Sequence, residues 1–128
     1  MPLVCISLQA GKPAATKRKI ADAVHAALVE TLTAPADDRF QIITEHAAED
    51  LIVDPHYLGI ERSADVVIIQ VALRKGRTVA MKQAFYRRTV ERLADAVGLR
   101  PEDAVITLVE NDLPDWSFGN GVAQYVTA

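Results

Sequence analysis

Val66-Val67-Ile68-Ile69-Gln70-Val71-Ala72-Leu73, followed by Arg74-Lys75-Gly76-Arg77-Thr78, is the stretch that decides the fold. An apolar, β-branched run that stops at a glycine reads as a strand ended by a tight break. Thr78 then offers an N-cap, and Phe85, Thr89, Leu93 and Val97 recur every four residues with Lys, Arg and Asp between them. That period is a helix, and Gly98 is its expected C-cap. Pro101 marks the exit, and a second β-rich run follows from Val105 to Val109. Strand, helix and strand in this order form a β-α-β unit, whose two strands run parallel through a right-handed crossover.

The chain contains this unit twice. A shift of 65 residues aligns 2–46 on 67–111 without a gap, with identities at Leu8/Leu73, Gly11/Gly76, Ala15/Ala80, Lys17/Lys82, Leu28/Leu93, Asp38/Asp103 and Glu45/Glu110. The first copy runs from the strand Leu3 to Leu8, through a helix marked by Ile20, Val24, Leu28 and Leu32, to the strand Phe40 to Thr44. Pro13 stands near the helix start, where its missing N–H costs nothing. Residues 47–66 are a connector with a short apolar strand or turn expected at Leu51-Ile52-Val53, and 112–128 are a tail rich in turn formers. The expectation is a single α/β domain over 1–128 (α+β in some schemes), with a four-stranded sheet and both helices on one face. Val66 to Ile69 is apolar at successive positions, so both faces of the sheet call for burial. No second helical layer exists to cover the open face, which predicts an obligate homo-oligomer.

Composition bounds the rest. The 128 residues are 50% hydrophobic, with one Trp, three Tyr and three Phe, and carry a net charge of −3. One domain of this size builds a core without disulfides or a structural metal. The apolar fraction excludes disorder, and no run approaches a membrane span. The start lacks the basic and apolar regions of a signal peptide. The lone Cys5, expected in the core of the first strand, suits a reducing cytoplasm. Residues 62–100 hold nine Lys or Arg against three Asp or Glu, inside an otherwise acidic chain. This argues against nucleic acid as a partner and permits a small anionic ligand. His25, His46 and His56 show no metal-ligand spacing, so no metal is expected.

Four segments carry a family resemblance. They are Pro35-Ala36-Asp37-Asp38-Arg39-Phe40-Gln41, Leu73-Arg74-Lys75-Gly76-Arg77, Lys82-Gln83-Ala84-Phe85-Tyr86 and Asp115-Trp116-Ser117-Phe118-Gly119-Asn120-Gly121. Together with the Met1-Pro2 start and the repeated β-α-β unit, the chain resembles the tautomerase superfamily, and within it the malonate semialdehyde decarboxylase branch. The resemblance implies removal of Met1, two fused units in each chain, and three chains in a barrel-like trimer. It also implies activity without a cofactor on a small oxo-acid or its enol.

An amino-terminal proline is a secondary amine, and α-amino groups ordinarily titrate at about 7.7–8.0, so surroundings decide its role. An apolar pocket makes Pro2 a general base. A nearby carboxylate makes it an acid or a cation that polarises a carbonyl, and condensation with an aldehyde makes it an iminium. By resemblance Asp38 polarises the carbonyl or activates water beside Pro2. Arg74 matches the first of two family arginines that hold the substrate carboxylate, and Arg77 matches the second after one inserted residue. Trp116 and Phe118, two apart, share a face of an extended segment and are expected to wall the pocket. The resulting reading is decarboxylation of a 3-oxo acid such as malonate semialdehyde. The alternatives are keto–enol tautomerisation of a 2-oxo acid such as phenylpyruvate, and a non-catalytic trimeric binding module.

Overall fold

A computed structural model describes residues 2–126; Met1, whose removal is expected, and the last two residues of the tail lie outside the described residues. The elements are β1 (Leu3–Gln9), α1 (Ala14–Thr31), β2 (Phe40–His46), β3 (Val67–Arg74), α2 (Val79–Val97) and β4 (Ala104–Asn111). The sheet order is β2-β1-β3-β4. β1 pairs parallel with β2 and β3 parallel with β4, as two β-α-β units require, and the units join through antiparallel β1 and β3.

Alternation along the strands divides the sheet into two faces. Val4, Ile6 and Leu8 of β1 and Val67, Ile69, Val71 and Leu73 of β3 are buried beneath the helices. The helices meet them with Ile20, Val24 and Leu28 from α1 and Phe85 and Leu93 from α2. Thr89, at 0% exposure, belongs to the same stripe because its hydroxyl donates to the Phe85 carbonyl of the preceding turn, 2.7 Å away. Thr78 accepts from the Met81 N–H as the N-cap of α2, and Gly98, at φ 68°, closes its far end. That left-handed conformation is costly for any residue with a Cβ.

The other face is open. Phe40 is 46%, Ile42 52% and Val109 56% exposed there, as two-sided burial of the strands anticipates. Cys5 lies on this face, half-buried, rather than in the core; its odd position in β1 places it opposite the Val4–Ile6–Leu8 side. The connector also departs from expectation. Leu51 to Val53 form neither strand nor turn, while single 3₁₀ turns occur at Ala48–Asp50 and Tyr57–Gly59. Arg62 organises this segment by donating from Nη1 to the carbonyls of Asp54, Tyr57 and Ile60. Among the described residues no helix is long and apolar enough to cross a membrane.

Candidate active site

The mixed sheet brings one end of every strand to a common edge. Leu3, next to Pro2, pairs with Phe40 of β2 and Ala72 of β3. Asp38 therefore lies two residues before the first of these partners, and Arg74 two residues beyond the second. Arg74 in turn pairs with Asn111, the last residue of β4. Parallel pairing of β1 with β2 brings Asp38 toward Pro2, and the antiparallel junction of the two units brings Arg74 to the same end.

Pro2 is buried at the head of β1. Asp38 is half-buried in the turn that leads into β2, its N–H donating to the Pro35 carbonyl at 3.1 Å. Arg74 is exposed, and it borders a cleft of about 210 Å³ lined by Thr33, Lys75, Gly76, Arg77 and Met81 as well. Three cationic side chains on so small a cleft give it a positive field that would favour an anion.

Arg77 has a double task. Its Nε and Nη2 both donate to the Leu32 carbonyl, at 3.2 and 3.1 Å, and Nη1 donates to the Arg74 carbonyl at 2.7 Å. Leu32 caps α1, so its carbonyl has no helical partner, and the guanidinium satisfies it. Three of the five N–H donors are thereby used, which leaves two for a ligand. Burial, and then the like charge of Arg74, lower the pKa of Arg77, with Glu110 opposing. A bound carboxylate relieves that repulsion.

The tail roofs this edge. Trp116 Nε1 donates to Asn111 Oδ1 at 2.8 Å, which fixes the indole beside the end of β4. Phe118 stacks on Trp116, with centroids 5.3 Å apart and planes 2° from parallel, and meets Phe40 at 5.6 Å. Asn111 and Phe40 belong to opposite edge strands, so the two rings span the ends of β3 and β1 between them. The expected sharing of a face by Trp116 and Phe118 thus takes the form of a direct stack. Tyr125 adds an edge-on contact to Phe118 at 5.2 Å. Asn111, Phe40 and Tyr125 escape the sequence reading. Asn111 and Phe40 look like ordinary strand ends, and Tyr125 lies in a tail without periodicity.

The scaffold agrees with what the chain is similar to. Family models described as tautomerase enzyme match residues 38–119 and 2–61. The chain belongs to the tautomerase superfamily, a class of enzymes. Within it, the chain falls in the branch of malonate semialdehyde decarboxylase. It is 47% identical to a solved malonate semialdehyde decarboxylase inhibited by 3-bromopropiolate (TM-score 0.91; 97% of this chain, 94% of that one). A second malonate semialdehyde decarboxylase, solved also as a variant with its first residue changed from proline to alanine, is 34% identical (TM-score 0.91; 96% and 95%). Among curated relatives, the probable tautomerase YrdN of Bacillus subtilis is 38% identical over 127 residues (99% of this chain, 98% of that one). A fused 4-OT described as a symmetric trimer shares 27% identity (TM-score 0.78; 96% and 97%).

Proposed function

We propose that the chain is a cofactor-independent decarboxylase of a small 3-oxo acid, of which malonate semialdehyde is the type, working through Pro2 as a free amino terminus. The observation that carries this reading is the meeting of Pro2, Asp38 and Arg74 at one roofed sheet edge. Arg74 and the two spare N–H groups of Arg77 hold the substrate carboxylate through charge-assisted hydrogen bonds. Holding it fixes the rotation of the carboxylate, so that the breaking C–C bond lines up with the carbonyl π system. Pro2 as an ammonium, kept charged by Asp38, polarises the aldehyde oxygen. The C–C bonding pair then flows into the enolate, carbon dioxide departs, and a proton returns to the α-carbon. Trp116 and Phe118 exclude water and strengthen these charges.

Burial of Pro2 favours a second reading. Desolvation lowers an amine pKa, and a neutral Pro2 is a base suited to moving a proton between carbon and oxygen in a 2-oxo acid such as phenylpyruvate. Both readings place the protein in the cytoplasm as a homotrimer. Exposed Phe40, Ile42 and Val109 on the open sheet face, together with the trimeric fused 4-OT, support that assembly.

The test is turnover of malonate semialdehyde and of phenylpyruvate enol by wild type, Pro2→Ala and Arg74→Ala, with intact mass recorded for each. Decarboxylation that falls by at least about 100-fold in Pro2→Ala supports the first reading. Turnover indifferent to Pro2→Ala, or a native chain that keeps Met1, rejects both.

A further inference from the structure

The turn that carries Asp38 is tied to α1 on both sides of that residue. Before it, His25 Nε2 donates to the Ala36 carbonyl at 2.9 Å. After it, Arg39 donates from Nη2 to Asp22 Oδ1 at 2.6 Å and from Nε to Gln41 Oε1 at 2.7 Å. The Gln41 amide in turn donates to the Ala21 carbonyl at 2.8 Å. Ala21, Asp22 and His25 lie within one turn of α1, so a single helical patch holds the segment from Ala36 to Gln41. The Arg39 hydrogen bond is the chief cause that lowers the Asp22 pKa. Arg39 itself is only 27% exposed.

The internal repeat shows that the fold does not need this clasp. At the 65-residue shift Arg87 stands for Asp22, Val90 for His25, Ala104 for Arg39 and Ile106 for Gln41, while Asp103 still stands for Asp38. The second unit makes the corresponding helix-to-strand passage, through a 3₁₀ turn at Pro101–Asp103, with none of the four clasp residues. Its aspartate is held instead by the connector, through Ser63 N and Oγ, both at 2.7 Å. The clasp is confined to the unit that carries Pro2.

We infer that Arg39, gripped by Asp22 and assisted by His25, is a positioning residue that fixes Asp38 against the head of β1. The inference rests on the proposed role of Asp38 at the active site. Catalytic groups displaced by about 1 Å lose up to about 100-fold in rate, so a turn held at two points is worth a measurable factor. Lysine keeps the charge of Arg39 but cannot serve Asp22 and Gln41 together through one planar fork.

The experiment compares Arg39→Lys, Asp22→Asn, Asp22→Glu and Asp38→Asn, plus the double variant Arg39→Lys/Asp38→Asn. The substrate is whichever of malonate semialdehyde and phenylpyruvate enol the wild type converts faster. Arg39→Lys and Asp22→Asn are expected to lower kcat by about tenfold with KM within about twofold, Asp22→Glu to recover much of the loss, and amide exchange at Asp38 to quicken. In the Asp38→Asn background Arg39→Lys is expected to cost nothing more, because the group it positions is gone. An equal loss in both backgrounds assigns Arg39 a merely structural role and overturns the inference. Full activity and unchanged exchange in Arg39→Lys, beside an impaired Asp38→Asn, overturns it while leaving the active-site reading intact. Full activity in Asp38→Asn removes the reading and the inference together. Asp22→Asn, at an exposed position and of equal size, serves if Arg39→Lys fails to fold, and Asp38 exchange decides alone if neither substrate reacts.

Discussion

The two β-α-β units share a skeleton and differ at the ends of their first strands. Gly11 and Gly76 occupy the same unusual conformation, at φ 122° and 123°, just past β1 and β3. Lys17 pairs with Glu45 at 2.6 Å and Lys82 with Glu110 at 3.0 Å, so four of the residues identical between the copies make the same bond twice. At the strand heads the likeness stops. Pro2 has its counterpart in Val67, whose nitrogen is an amide inside the chain; Arg74 in Gln9; and Arg77 in Lys12, which pairs with Asp65. Asp38 sits half-buried in a turn, whereas Asp103 is 1% exposed and locked to Ser63. The two units share what closes the fold, and the proposed chemistry falls only on the one that can offer a secondary amine at Pro2.

Replacing the secondary amine by a primary one is the harshest way to break that asymmetry. Pro2→Ala is expected to cost at least about 100-fold in kcat and only about 1 kcal/mol of stability. Steady-state kinetics beside denaturant titration checks the two effects. Arg74→Ala should lower kcat/KM by about 100-fold, whereas Gln9→Ala at the matching position should leave it unchanged. At the structural end the order inverts. Asp103→Ala strands the half-buried Ser63 N–H and hydroxyl and is expected to cost about 1–2 kcal/mol of stability, measurable as a lower urea midpoint, with kcat retained. Asp38→Ala should do the opposite.

The smallest effect concerns the helix layer common to both units. Glu30 receives Arg92 and Arg88, and these bonds lower its pKa from 4.5 to about 2. A lowered carboxylate pKa contributes stability that is complete above 4.5 and fades as pH falls toward 2. Glu30→Gln should therefore flatten the stability profile slightly across that window and nowhere reduce activity. Glu30 lies at the surface, so salt should shrink the difference.

The repeat also explains how much was legible in advance. Val66 to Leu73 and its Gly-Thr exit, matched 65 residues earlier, led to element order, helix stripes and the open sheet face, because periodicity and caps are local signals. Two-sided burial misplaced Cys5, since strand parity depends on register rather than on apolar content. Pro2, Asp38, Arg74, Arg77, Trp116 and Phe118 were reached by resemblance, and the mixed sheet supplies the reason they belong together. The bonds of Arg77 to Leu32 and Arg74, the anchoring of Trp116 by Asn111 and the clasp on Arg39 were not legible. The longest of them, Arg77 to Leu32 and Arg39 to Asp22, join segments brought together only by the folded packing, and the local ones depend on turn conformations that carry no periodic signal.

The central claim is that one strand head out of two is reactive because it begins at a free proline. Its most direct measurement is mass spectrometry of the native chain after incubation with an acetylenic acid such as 3-bromopropiolate, an inhibitor of the 47%-identical decarboxylase, followed by peptide mapping. The account predicts a chain lacking Met1 and a single adduct on the peptide that begins at Pro2, lost in Pro2→Ala. A native chain that retains Met1, or an adduct elsewhere that survives Pro2→Ala, would contradict it.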